Sequence, residues 1–178
     1  MIRLFAGLAL PNGHRQQMSL IQNGLKDARW VAPENLHVTL RFIGEVDEDV
    51  VDELSCALDD VRAEPFALTI HGLGTFGRPP SSIWAGVEDT PAGALARFQA
   101  KVESVLVRSG LPPEGRKYTP HVTLARLRKS PGALRLGDYM ESHATLVLPA
   151  FEVTGFTLFE SRLSHQGAHY SALAEYKF

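Results

Sequence analysis

Apolar and polar positions divide the chain into segments of two periods. Residues 1–10, Met1-Ile2-Arg3-Leu4-Phe5-Ala6-Gly7-Leu8-Ala9-Leu10, form a nearly continuous apolar run that stops at Pro11-Asn12-Gly13, which predicts a buried first strand. Met18, Ile21, Leu25 and Ala28 then recur at steps of three and four, predicting an amphipathic helix. Leu36 to Ile43 alternates and reads as a strand closed by Gly44, and Asp47-Glu48-Asp49 opens a second helix whose stripe is Val50, Leu54, Ala57, Leu58 and Val61. Phe66–Ile70 and Ser82–Val87 read as strands joined by a Gly/Pro-rich loop. Thr90-Pro91 predicts the start of a third helix, with Leu95, Phe98, Val102, Val105 and Leu106 on its buried stripe and Gly110 as its stop. A strand over Tyr118–Leu127 follows, and Ser130-Pro131-Gly132 breaks the chain before a short ambiguous stretch to Ser142. Strands at Leu146–Leu148, Phe151–Phe159 and Tyr170–Phe178 complete the pattern.

Two of these strands carry the same word, His37-Val38-Thr39-Leu40 and His121-Val122-Thr123-Leu124. Side chains alternate between the faces of a strand, so each copy shows an imidazole and a hydroxyl on one face and packs Val and Leu on the other. The copies lie about half the chain length apart. Strands interleaved with helices around a repeated unit predict an α+β fold of mostly antiparallel strands, with a duplicated unit packed around a pseudo-twofold axis. No linker or low-complexity tract divides residues 1–178, which are expected to form one domain.

Composition narrows the setting. Forty-four per cent apolar and 21% charged residues describe an ordinary globular chain, and a net charge of −2 excludes a globally basic coat for nucleic acid. The single cysteine, Cys56, fits a reducing cytoplasmic setting and is expected in the core on the apolar side of its helix. The apolar first segment is too short to span a bilayer, and no membrane association is expected.

One His-x-Thr on a strand is commonplace. Two supply what in-line displacement at a phosphodiester needs: one imidazole to accept a proton, another to donate one near neutral pH, and two hydroxyls to hold non-bridging oxygens. Such a scheme asks for no metal and no cofactor. By strand parity Arg41 shares the face of His37 and Thr39, whereas Arg126 has the opposite parity to His121 and Thr123 and joins their face only through a twist or bulge. Arg116, Lys117, Arg126, Arg128 and Lys129 gather around the second motif and offer a path for an RNA backbone, and Tyr118 and Trp30 are candidate stacking partners for a base. Other motifs carry less. The Gly-x-Gly-x-x-Gly at residues 72–77 precedes Arg78-Pro79-Pro80 rather than a helix and reads as a hairpin loop, and His165 and His169 lack the partners of a zinc site.

With both motifs and their flanks in view, the chain resembles the two-histidine (2H) phosphoesterases, and within them the RNA 2′,3′-cyclic phosphodiesterases, also described as 2′-5′ RNA ligases. The resemblance rests on Asn35-Leu36-His37-Val38-Thr39-Leu40-Arg41-Phe42-Ile43-Gly44, Trp84-Ala85-Gly86-Val87, Thr119-Pro120-His121-Val122-Thr123-Leu124-Ala125-Arg126 and Phe156-Thr157-Leu158-Phe159-Glu160-Ser161-Arg162. It implies a bilobed fold, with two mainly antiparallel sheets facing across a central cleft and helices outside, each sheet contributing one His-Thr pair. It also implies His37 as proton donor, His121 as proton acceptor, and Thr39 and Thr123 on the phosphate oxygens. Arg41, Arg126 and Tyr118 stand as further substrate contacts. The implied substrates are RNA with 2′,3′-cyclic phosphate ends, or cyclic nucleotides, opened to 2′-phosphates by a monomer without an obligate protein partner. The same site serves a 2′-5′ ligase or phosphodiesterase equally well, and a non-catalytic RNA-binding module is the alternative from another class.

Overall fold

A computed structural model describes residues 1–129, 131–165 and 167–178. The chain break expected at Ser130 therefore lies partly outside the described residues. Among the described residues, nine strands form one antiparallel sheet: β1 (Ile2–Ala9), β2 (Ala28–Trp30), β3 (His37–Val46), β4 (Phe66–Phe76), β5 (Ser82–Thr90), β6 (His121–Leu127), β7 (Phe151–Val153), β8 (Gly155–Ser164) and β9 (Gly167–Lys177). Four helices accompany them: α1 (Asn12–Ser19), α2 (Glu48–Leu58), α3 (Ala94–Arg108) and α4 (Ala133–Ser142).

The sheet order is β7-β4-β5-β6-β3-β1-β8-β9, with β2 paired to β6. Reading outward from β6–β3 gives matched partners: β3 with β6, β1 with β5, β8 with β4. The α+β, pseudo-twofold arrangement is thus built from two halves that exchange strands, since β4 of the first half pairs with β5 of the second and β8 of the second pairs with β1 of the first. The two sheets expected from sequence are continuous with each other through the β3–β6 pair Val38–Val122. Beyond that pair the strands splay, and β2 fills the gap on the β6 side, with Arg29 opposite Arg126.

One face of the sheet is covered by helices. Val38, Leu40, Val122, Leu124 and Ala125 are buried there with Met18, Leu54, Leu58, Leu95, Phe98, Val102 and Leu106. Burial of this apolar face is the main driving force for the fold. The other face carries both His-Thr pairs.

Several elements depart from the periodic reading. Helix α1 ends at Ser19, and Gly24, with a left-handed φ of 87°, lies in the turn that leads on to β2. Strand β4 runs on through Gly72 and Gly74 to Phe76, so those glycines lie within a strand rather than in the loop expected. Gly74 is required there, since a Cβ would come within 2.2 Å of the Trp84 ring. Leu146–Leu148 makes an isolated bridge from Val147 to His71. Helix α3 starts after Thr90-Pro91, and Asp89 caps it by accepting from the Gly93 and Leu95 N–H groups at 3.1 and 2.7 Å. Cys56 is exposed, not in the core, because the buried stripe of α2 runs through Leu54 and Leu58 and position 56 points away from it.

Both motif strands are bulged at equivalent points. Ala6 pairs with Arg41 and Gly7 with Thr39, which leaves Leu40 as an extra residue in β3; Ile83 pairs with Ala125 and Trp84 with Thr123, which leaves Leu124 extra in β6. Each extra residue has a carbonyl claimed by a glutamine. Gln22 donates to Leu124 O at 3.1 Å, and Gln99 donates to Leu40 O at 3.3 Å. Leu124 O also accepts from the Val31 N–H at 2.8 Å. Replacing Gln22 or Gln99 with Met, near-equal in size, is expected to destabilise the protein by about 1 kcal/mol each, read as a lower urea midpoint at unchanged m value.

Candidate active site

The bulges decide which side chains share the face of the histidines. Along β3 the order of exposure is His37 half-buried, Val38 buried, Thr39 half-buried, then Leu40 and Arg41 both buried, and Phe42 52% exposed. Along β6 it is His121, Val122, Thr123, then Leu124 and Ala125 both buried, and Arg126 exposed. Two consecutive buried residues restore alternation one step late. Phe42 and Arg126 therefore occupy equivalent positions beside the two His-Thr pairs.

This overturns the simple parity argument in both directions. Arg41, expected in the cleft, is turned to the helical side, where it donates to the Glu103 carboxylate on α3 and to the carbonyls of Phe42 and Pro112. It is a buried structural cation. Arg126, reachable only through a bulge, has that bulge, and its charge acts on His37, His121 and Tyr170 together. Tyr118 is not a free stacking surface either. Its hydroxyl donates to Thr39 O at 3.1 Å and its ring packs against the core, so it ties the approach to β6 onto the first motif strand. Trp30 lies opposite Ala125 on the packed face, 5.8 Å from Tyr139. Arg116 is paired with Glu114.

Extending the Val38–Val122 register puts His37 opposite Thr123 and Thr39 opposite His121. The two histidines are then diagonal neighbours across the pair at which β3 and β6 meet.

Both rings are held in the same tautomer. The Nδ1–H of His37 donates to Asn35 O at 2.6 Å, and that of His121 donates to Thr119 O at 2.7 Å. Each Nε2 is consequently the ring nitrogen with the lone pair, and that of His37 accepts from the Thr39 hydroxyl at 3.0 Å.

The surroundings of the two rings differ. His37 sits among Phe5, Phe159 and Tyr170, with ring centroids at 4.7, 6.2 and 5.3 Å. Gly7 lies beneath it, where a Cβ would stand 3.0 Å from Val38 O and 3.5 Å from the imidazole. Burial, with smaller contributions from the charges of His121 and Arg126, holds the His37 pKa down to about 4 against the pull of the Asn35 carbonyl. His121 packs on Phe76 at 4.8 Å and Trp84 at 6.2 Å and is more open. Burial and Arg126 lower its pKa too.

Sequence reasoning missed the aromatic walls Phe5, Phe76, Phe159 and Tyr170, and it missed Phe42. The signal for the walls was present in strand pairing. Phe5 pairs with Phe159, and Phe76 with Ser82 beside Trp84. Among the described residues no three His, Cys, Asp or Glu side chains gather as a metal site, and His165 and His169 lie at the turn and on β9 of a hairpin. No helix is long and apolar enough to cross a membrane.

Comparisons with known proteins agree with this geometry. The family described as LigT like Phosphoesterase matches residues 8–84 and 86–170. An RNA 2′,3′-cyclic phosphodiesterase of Aeropyrum pernix is 39% identical over 149 residues, covering 83% of this chain and 84% of the relative. A second, from Archaeoglobus fulgidus, is 30% identical over 97% of this chain and 98% of its own. The crystal structure of Escherichia coli LigT complexed with 3′-AMP superposes with a TM-score of 0.79 at 28% identity, covering 99% of this chain and 98% of that one. The chain belongs to the LigT-like phosphoesterase family of the 2H group.

The depressed pKa of His37 has a measurable consequence for stability. Unfolded, the ring titrates near 6.5; folded, near 4. Above pH 6.5 both states are neutral and nothing is lost. As pH falls from 6.5 towards 4 the unfolded chain takes up the proton first, so the folded state loses up to about 3 kcal/mol across that window. His37→Gln is expected to flatten this acid limb in urea titrations at pH 7, 6, 5 and 4, and an unchanged limb would assign the loss to other groups.

Proposed function

We propose that this LigT-like phosphoesterase opens 2′,3′-cyclic phosphate ends of RNA to 2′-phosphomonoesters, with His37 as general acid and His121 as general base. The observation that carries the reading is the pair of imidazoles with matched tautomers, close enough for the charge of His121 to bear on His37. The names of the two curated relatives support the reaction, and the 3′-AMP on the E. coli protein supports a ribose phosphate as ligand. In this reading residues 1–178 act as one catalytic domain of two interlocked lobes, a cytoplasmic monomer.

The chemistry follows from the tautomers. Neutral His121 has its lone pair on Nε2 and takes a proton from water as the oxygen attacks phosphorus. The P–O3′ bond breaks on the opposite side, and the ribose 3′-oxygen needs a proton. His37 keeps its Nδ1–H on Asn35 O, so Nε2 can donate only from the imidazolium form. Free of ligand, that form is scarce at neutral pH. A bound phosphodiester anion opposes the effect of burial and the flanking cations, and so raises the His37 pKa where the proton is required. The Thr39 and Thr123 hydroxyls donate to the two non-bridging oxygens. Arg126 supplies a positive charge beside both rings for the charge that develops in the transition state. Water, two imidazoles and the cyclic diester balance the reaction without a further reagent.

His37→Ala or His121→Ala is expected to lower kcat by about 10²–10⁴-fold in chelator-containing buffer, with the thermal transition retained. A His121→Ala variant of full activity overturns the base assignment. The kcat/KM profile of the free enzyme is expected to be bell-shaped, with both limbs set by the imidazole pair below its ordinary range: activity falls at low pH as the pair gains its second proton and at higher pH as it loses the last. The kcat profile is displaced to higher pH by the bound anion. Release of 3′-phosphate overturns the assignment of the bond broken, and joining to a 5′-hydroxyl oligonucleotide in place of hydrolysis overturns water as the nucleophile.

A further inference from the structure

The register of β2 and β6 carries more than Arg126. Arg29 is the cross-strand partner of Arg126, so both side chains stand on the cleft face of the sheet. The guanidinium of Arg29 lies beside Gly167, at the start of β9, where a Cβ would come within 3.1 Å of it. A groove of about 470 Å³ is lined by Lys26, Asp27, Arg29, Arg128, Lys129 and His165. Strand β9 is anchored: Asn35 donates to Ala168 O at 2.6 Å, and Tyr170 stands at the edge of the His37 ring. One wall therefore runs from the reaction site to the groove.

Charge along this path is one-sided. Among the described residues, none of Lys26, Arg29, Arg126, Arg128 and Lys129 has a carboxylate within ion-pair distance, although Asp27 lies in the same groove. All five are exposed, in a chain whose net charge is −2. Arg126 stands on β6 and Arg128 just past its end, so cations continue from beside the imidazoles into the groove. Such a row suits successive phosphates of a single strand.

We infer that this groove holds the backbone phosphates on the 5′ side of the cyclic end, so that the protein is built for an RNA strand rather than for a cyclic mononucleotide. The inference rests on the cleft being the reaction site proposed above, but its test does not require turnover. Binding of a fluorescein-labelled ten-nucleotide RNA ending in 2′-phosphate is compared with binding of a 2′-phosphate mononucleotide, for the native chain and for the triple variant Arg29→Ala/Arg128→Ala/Lys129→Ala. The native chain is expected to bind the strand more tightly than the mononucleotide. The triple variant is expected to bind the strand at least ~10-fold more weakly at 100 mM salt, with the log K against log salt slope shallower by about 2 for three lost phosphate contacts. Mononucleotide binding and turnover of a 2′,3′-cyclic mononucleotide are expected to stay unchanged.

Equal affinity of the native chain for strand and mononucleotide overturns the inference. So does a triple variant with native strand affinity and salt slope, or sedimentation of the native chain with phosphatidylserine vesicles that the triple variant loses while RNA binding does not change. If the triple variant fails to show the native thermal transition, Lys129→Glu is read by the same criteria. If neither cyclic substrate is turned over by the native chain while strand binding depends on the groove, the proposed reaction fails and the groove stands.

Discussion

The antiparallel pair Val38–Val122 is where the two halves become one sheet, and the placement of everything in the cleft depends on it. Both side chains are fully buried against the helical layer. With those two residues facing inward, the alternation of a strand forces their neighbours His37, Thr39, His121 and Thr123 outward on the same side. A slip of one residue in either strand would bury an imidazole and expose a valine. The free energy that fixes the placement of the two His-Thr pairs is thus mainly that of apolar burial on the opposite face.

The bulges act as a second constraint on top of the first. They reset alternation immediately after each motif, hiding Arg41 and presenting Phe42 in one half, hiding Ala125 and presenting Arg126 in the other. A near-symmetric scaffold thereby becomes chemically asymmetric: one side of the cleft carries an aromatic ring, the other a permanent cation. The same asymmetry continues around the rings. His37 is enclosed by Phe5, Phe159 and Tyr170, and its pKa is held down to about 4, whereas His121 lies against Phe76 and Trp84 and is more open. Two identical four-residue words become two different acids because of what is packed against them.

The motif strands, the pseudo-twofold order and the acidic start of α2 were legible because local alternation and the preference of a helix N-terminus for negative charge determine them. The bulges were not. Leu40-Arg41 and Leu124-Ala125 give no local sign that one residue will be unpaired, since the need for it arises from strands in register elsewhere in the sheet and from Gln22 and Gln99, which lie outside both strands. Parity therefore misplaced Arg41 and undervalued Arg126. Tyr118 and Trp30 were misread for a related reason, because an aromatic residue near a motif is as well used holding the sheet as holding a base. Cys56 shows the limit of a helical stripe read two positions too broadly.

The exchange of strands between halves bears on how such a molecule can arise. A chain equivalent to one half would leave the outer edges of β1 and β4 unpaired, and unpaired edges seek partners. The partner that fits both is a second copy of the same half, since β4 pairs with the strand equivalent to β1. Two copies joined in that way would already set one His-Thr pair across from another, before any linker made them a single polypeptide. In such a pair both motifs would have the same surroundings; in this chain the position after each bulge differs, a phenylalanine in one half and an arginine in the other.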